Sequence, residues 1–286
     1  MTSRMDYNNP HGNGELGLPY HYEMVSDTSR VSPFRQAIQN VCKNKIVVES
    51  GTGTSVLSLI AAGAGAKMVY AIELDPNIAA FARENIKKSG FKNIKLIEKN
   101  TLQVTTQDLD GNKADVVIAE NLSTWEVTEP QIQVMNHMIK NLAVANPIGI
   151  PHAIDNKLEL CYSNYIFEKV IELRTLYFQF TGIPAPDLFS DPVSFENIKM
   201  NQVNPVAFEK TIAIPVKKSG VINGIRLTSP LIVGEGVLFH SSDSLMPPVV
   251  LPLPSDTKVE KGQIVKIKIQ YVTNTDWRQF ICQVEK

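Results

Sequence analysis

Residues 46–73 read IVVESGTGTSVLSLIAAGAGAKMVYAIE. Ile46-Val47-Val48 is a short apolar, β-branched run of the kind found in buried parallel strands. Glu49-Ser50-Gly51-Thr52-Gly53-Thr54-Ser55 follows as a tight turn, and Val56 to Ala64 is apolar and long enough for a helix lying on a sheet. Met68-Val69-Tyr70-Ala71-Ile72 is the next strand, and Glu73 stands at its carboxyl end. Strand, glycine turn, helix and strand in that order make a parallel α/β unit, and such sheets bind ligands at the carboxyl ends of their strands. Glycines let backbone approach a ligand closely, and an acid at the end of the second strand suits a ribose diol.

A glycine turn alone also fits a phosphate-binding helix entrance, or a plain turn in an unrelated α/β protein. The spacing here is E-x-G-x-G rather than G-x-G-x-x-G. A carboxylate at Glu49 repels a pyrophosphate but suits a cofactor carrying an ammonium group, which points to S-adenosylmethionine.

The 286 residues allow one large or two medium domains, and 43% hydrophobic residues supply a core. A net charge of −1 gives no overall pull toward nucleic acid or an anionic membrane, so neither is expected as a partner. Cys42, Cys161 and Cys282 are far apart and form no CxxC or Cys/His cluster. They fit isolated thiols in a reducing cytoplasm better than a disulfide frame, and no metal site is expected. No signal-peptide pattern and no membrane-length apolar run is present.

Residues 1–18 are polar and rich in glycine and asparagine, so they are expected to be mobile without ligand. Tyr20 to Val41 reads as two helical pieces with a break at Ser32-Pro33. Strands are expected at 46–48, 68–72, 94–97 and 115–119, with a helix at Ile78–Ser89 capped by Gly90. Pro147-Ile148-Gly149-Ile150-Pro151 reads as a linker. Beyond it, short strands are expected at 158–162, 208–214, 222–227, 236–240, 264–271 and 279–284, with prolines such as Pro184, Pro192, Pro247 and Pro252 in the connections. The expected division is therefore a segment 1–18, a cofactor-binding α/β domain 19–150 and an all-β, barrel-like domain 151–286.

The strand ending at Ala119 delivers Glu120-Asn121-Leu122 to the ligand end of the sheet, and Glu129 follows nine residues after Glu120 with Glu126 between them. Two carboxylates on one loop can grip a planar guanidinium through bidentate hydrogen bonds. They would localise its charge on one nitrogen and leave another more nucleophilic. Glu126 and Glu129 could equally serve the start of a helix at Pro130–Leu142.

These stretches resemble the protein arginine N-methyltransferases, over most of the chain. Glu49-Ser50-Gly51-Thr52-Gly53-Thr54-Ser55-Val56-Leu57-Ser58-Leu59 is similar to the family's first motif, with Ser55 where a third glycine usually stands. Tyr22-Glu23-Met24-Val25-Ser26-Asp27-Thr28-Ser29-Arg30 is similar to the helix ahead of it. The resemblance implies Met24 at the active site, Asp27 helping to hold the catalytic loop or partner groups, and Arg30 on the cofactor carboxylate. Glu73, with Leu74 beside it, falls at the ribose, Thr101 and Leu102 at the adenine, and Glu120 and Glu129 at the two-glutamate loop. Val221-Ile222-Asn223-Gly224-Ile225 and Val259-Glu260-Lys261-Gly262 resemble its barrel strands and turns. The implied architecture is a Rossmann-like class I methyltransferase domain followed by an all-β barrel-like domain. The implied activity is S-adenosylmethionine-dependent methylation of an arginine or guanidino acceptor, in a protein, a peptide or a small molecule, by a cytoplasmic homodimer. The family's dimerisation arm would fall within Ile183–Pro205, with Leu188, Phe189 and Phe195 as anchors.

The chain also departs from the family. His11, Gly12 and Glu15 lie where a Tyr- and Phe-containing segment usually folds over the cofactor, and Tyr7 or Tyr20 are the candidate substitutes. Asn121-Leu122-Ser123 replaces Trp-Met-Gly. Ser244-Leu245-Met246 stands nearest to the missing Thr-His-Trp loop, with His240 close by. A different nitrogen or oxygen acceptor, or an inactive cofactor-binding scaffold, are the competing readings.

Overall fold

The computed structural model describes residues 17–285, so Tyr7, His11, Gly12, Glu15 and most of the N-terminal segment lie outside the described residues. Helices α1 (Leu18–Ser26) and α2 (Thr28–Val41) come first. The break between them is at Asp27, not at Ser32-Pro33. Asp27 has extended backbone and caps α2 by accepting a hydrogen bond from the Arg30 amide at 3.2 Å. Pro33 lies inside α2, where Val31, Phe34, Ala37 and Ile38 bury the helix face and outweigh the one missing amide.

Strands β1 (Ile46–Ser50), β2 (Met68–Glu73), β3 (Ile94–Glu98), β4 (Ala114–Ala119) and β5 (Ala143–Ile150) form a wholly parallel sheet in the order β3-β2-β1-β4-β5. Helices α3 (Val56–Gly63), α4 (Pro76–Ser89) and α5 (Gln131–His137) connect them. β2 and β4 flank β1, so the order in which strands are added reverses at β1, and a crevice opens at its carboxyl end. Asp75 caps α4 and Gly90 ends it at a φ of 77°. The helix expected at Pro130–Leu142 starts one residue later and finishes in a π-helical turn, Met138–Leu142.

The expected linker at 147–151 is mostly strand. Pro147 to Ile150 belong to β5, at the sheet edge, where a proline's missing amide leaves no ladder bond unmade. A Cβ at Gly149 would collide with the Met200 carbonyl, so the glycine admits the second domain's backbone against this edge.

That second domain is antiparallel. β6 (Ala153–Tyr162), β7 (Ile166–Phe167), β8 (Ile171–Glu172), β9 (Tyr177–Phe178), β10 (Asp187–Leu188) and β11 (Val193–Lys199) come before residue 200. β12 (Ala207–Pro215), β13 (Gly220–Thr228), β14 (Leu231–Gly234), β15 (Val237–Phe239), β16 (Val249–Val259), β17 (Ile264–Val272) and β18 (Ile281–Val284) complete it. One sheet runs β15-β14-β6-β13-β16-β9, with β10 and β11 also on β6; a second runs β12-β17-β18, and β7 pairs with β8 alone. Pro252 lies within β16 rather than in a connection.

The segment Ile183–Pro205 is not an arm. β10 and β11 pair with β6, and Phe189 and Phe195 are buried in the core. The projecting apolar element is the β7–β8 hairpin, where Ile166, Phe167, Ile171 and Leu173 are exposed and Val170 is 82% exposed. Helix α2 joins the two domains: a Cβ on Gly234 of β14 would stand 2.8 Å from the Ala37 Cβ.

Candidate active site

The glycine turn takes three left-handed residues in alternation: Gly51 (φ 65°), Gly53 (φ 57°) and Ser55 (φ 73°). Ser55 holds, at some strain, the conformation that a third glycine adopts freely. A Cβ at Gly51 would lie 2.5 Å from Asn121 Nδ2, and one at Gly53 would lie 3.1 Å from the His21 ring. The turn is therefore pinched between α1 and the loop after β4.

Glu49 is buried beneath the turn. Its Oε2 accepts hydrogen bonds from Thr52 Oγ1 at 2.8 Å and from Ser58 Oγ. Burial pushes its carboxyl up to about 7, against those hydrogen bonds and with help from Glu73. One oxygen of Glu49 thus braces the turn. Glu73 Oε2 accepts from the Gly53 amide at 2.8 Å, and Oε1 accepts from the Leu74 and Asp75 amides at 2.8 and 3.0 Å. Burial raises its pKa and the three amides oppose that rise. Ser50 and Thr101 share a hydrogen bond of 2.8 Å across the ends of β1 and β3, and Leu102 beside them is exposed.

Arg30 and Glu120 form a buried ion pair, and Arg30 Nε has no hydrogen-bond partner among the described residues. Gln131 fixes the loop behind Glu120: it accepts from the Asn121 amide at 2.9 Å and donates to the Ala119 carbonyl at 2.9 Å. Asp27 reaches the barrel-like domain, where Ser244 and Ser242 donate to it. Burial works against its charge, but the hydrogen bonds from Ser242, Ser244 and Ser29 prevail and hold it at about 2. The serine loop thus meets Asp27, while His240 is exposed just after β15 and away from the cavity.

A cavity of about 610 Å³ opens at the β1/β4 crevice. Met24, Arg30, Glu49, Gly51, Gly53, Glu73, Leu74, Thr101, Leu102, Glu120 and Glu129 all line it. Glu126 does not; it is wholly buried against Asn156. Tyr20, a candidate substitute for the covering segment, and Asn121 also line the cavity; His21 and Asn274 line it too and are additions to the sequence reading. His21 was legible in principle, since it precedes Met24 by three residues on the same face of α1.

Residues 42–164 match a family model described as a methyltransferase domain. The chain is 33% identical over 254 residues to the uncharacterised protein MJ1452 of Methanocaldococcus jannaschii, across 88% of this chain and 91% of that one. Protein arginine N-methyltransferase (PRMT) 7 of Bos taurus is 29% identical over 211 residues, across 68% of this chain and 30% of that one. The chain is a diverged, PRMT-like class I methyltransferase. The fold of this methyltransferase also resembles a solved Trypanosoma brucei PRMT1 enzyme–prozyme heterotetrameric complex with AdoHcy. That likeness has a TM-score of 0.75 and 18% identity and covers 87% of this chain and 86% of the other, which speaks to fold. The chain thus spans nearly all of its archaeal relative and under a third of PRMT7.

Proposed function

We propose that this S-adenosylmethionine-dependent methyltransferase methylates a guanidino nitrogen of an arginine-like acceptor, held by Glu120 and Glu129. The carrying observation is that both carboxylates line the same cavity as the glycine turn, Arg30 and Glu73. The donor set suits the cofactor. Arg30, whose Nε has no hydrogen-bond partner among the described residues, would be the cation for a methionine carboxylate. Gly51, Gly53 and Glu49 would take the methionine end, Glu73 with Leu74 the ribose, and Thr101 with Leu102 the adenine. When bound, the cofactor supplies a methyl group activated by a sulfonium. The protein's own part is alignment and charge placement.

In this reading Arg30 occupies Glu120 until a guanidinium competes for it. Glu120 and Glu129 then accept the acceptor's N–H bonds, draw its positive charge toward themselves and leave the reacting nitrogen richer in lone-pair character. Met24 shapes the wall beside that nitrogen. Residues 19–150 hold the cofactor in this scheme, and residues 151–286 close the acceptor side.

Methyl transfer to an arginine-rich peptide and to free arginine, with a lysine peptide as control, tests the proposal. Transfer to a guanidino substrate that Glu120→Gln leaves at full rate would overturn it. Asn121 and the Ser242–Ser244 loop favour a second reading, an amide, amine or hydroxyl acceptor, because both put neutral hydrogen-bonding groups near Glu120 and Asp27. A mass-shift screen of metabolites separates the two.

A further inference from the structure

The loop between Glu120 and Glu129 carries a third carboxyl group that stays out of the cavity. Glu126 Oε2 accepts from Asn156 Nδ2 of β6 at 2.8 Å. Asn156 Oδ1 accepts from Ser229 Oγ at 2.7 Å, and Ser229 Oγ accepts from the Trp125 amide at 2.8 Å. The chain of bonds leaves the loop at Glu126 and returns to it at Trp125. Trp125 Nε1 also donates to the Thr228 carbonyl at 3.1 Å, and its indole packs on Phe195, Tyr271 and Phe280. The Glu126 and Val127 carbonyls accept from the Asn274 and Thr275 amides at 3.0 and 2.6 Å. Both Trp125 (φ 59°) and Glu126 (φ 53°) are left-handed, a conformation that persists in such residues only where surroundings enforce it.

We propose that Glu126 is a positioning residue of the acceptor loop: its buried carboxyl group, through Asn156 and Ser229, locks the Trp125–Glu126 turn into the barrel-like domain, and that lock sets where Glu120 and Glu129 stand. The inference rests on the reading of Glu120 and Glu129 as the acceptor's partners.

The second oxygen of Glu126, Oε1, is buried without a hydrogen-bond partner among the described residues, which suits a neutral acid better than a carboxylate. The titratable group facing it is the Tyr271 phenol of β17, itself raised by burial and by Glu126, with Glu196 of β11 acting on the same phenol. β6 and the turn after β13 present the neutral Asn156 and Ser229. Burial raises Glu126 to about 8, with the Asn156 hydrogen bond opposing. Ionisation therefore places an unmatched charge in the lock and releases the turn.

The chain has two tryptophans, so Trp277→Phe leaves Trp125 as its sole indole. Its emission is titrated between about pH 6 and about pH 9.5, with and without Glu126→Gln. One transition centred near pH 8 that Glu126→Gln abolishes supports the lock. A flat trace in the parent, or a transition that survives Glu126→Gln, overturns it. Should Trp277→Phe fail to fold, hydrogen exchange of residues 120–129 in the unaltered chain and in Glu126→Gln gives the same decision. With an arginine-rich peptide, KM should rise about tenfold above pH 8 in the unaltered chain and not in Glu126→Gln, while S-adenosylhomocysteine affinity stays level in both. A peptide left unmethylated at every pH counts against the guanidino reading alone, because the Trp125 titration still decides the lock.

Discussion

Gly51 shows how much one missing side chain decides. Its φ of 65° costs a non-glycine residue about 1–2 kcal/mol, and a Cβ would strike Asn121 besides. Gly51→Ala should weaken S-adenosylhomocysteine binding by tenfold or more, roughly 1.4 kcal/mol, read by isothermal titration calorimetry. Glu49 carries a different prediction. Its folded-state pKa lies above the unfolded value, so the folded chain binds the extra proton between about pH 4.5 and about pH 7. The stability it contributes is complete below that window and is lost as pH rises through it, at up to about 1.4 kcal/mol per pH unit. Urea midpoints should therefore fall between pH 5 and pH 7, and Glu49→Gln should flatten the fall. A midpoint equally steep in Glu49→Gln would assign the slope to other groups.

At the scale of elements, α2 does more than precede the sheet. Asp27 starts it and also receives Ser242 and Ser244 from the other domain, so one carboxylate serves as helix cap and as tie. Asp27→Ala should lower stability by about 1–2 kcal/mol in urea unfolding. Hydrogen exchange should rise in the 242–246 loop as well as at the start of α2, and a rise at α2 alone would leave the tie without effect. The glycine turn and the end of α4 were legible because their signals are local: an E-x-G-x-G turn and a Gly90 stop; the start of α4 lies at Pro76, two residues before the expected Ile78. The break at Asp27 and the strand β5 were not. Pro33 and Pro147 read as breakers in isolation, and only a buried helix face and an edge position make them tolerable.

For the whole molecule, the exposed apolar residues gather on the β7–β8 hairpin rather than on the segment that the family resemblance indicated. Phe189 and Phe195 look like anchors in sequence but fill the chain's own core. A hairpin carrying Ile166, Phe167, Val170, Ile171 and Leu173 in solvent is the kind of apolar patch that marks an interaction surface, and we propose it as the contact of the expected homodimer. Light scattering should give a dimer mass for the unaltered chain and a monomer mass for Val170→Asp, since Val170 has no core role to lose. A dimer that survives Val170→Asp would remove the hairpin from the interface.

The sequence by itself determined the α/β unit, the glycine turn, the places of Glu73 and Glu120 at strand ends and the all-β second half. Each is written in neighbouring residues, whose periodicity and turn chemistry act over one element. Only the tertiary structure decided that Arg30 meets Glu120, that His21 covers Gly53 and that Glu126 belongs to the barrel-like domain while Glu129 faces the cavity. Those facts depend on which distant strands close around a side chain. Two glutamates three residues apart on one loop carry no local sign of which will be buried; the left-handed turn at Trp125–Glu126 sends one into the core and leaves the other at the site.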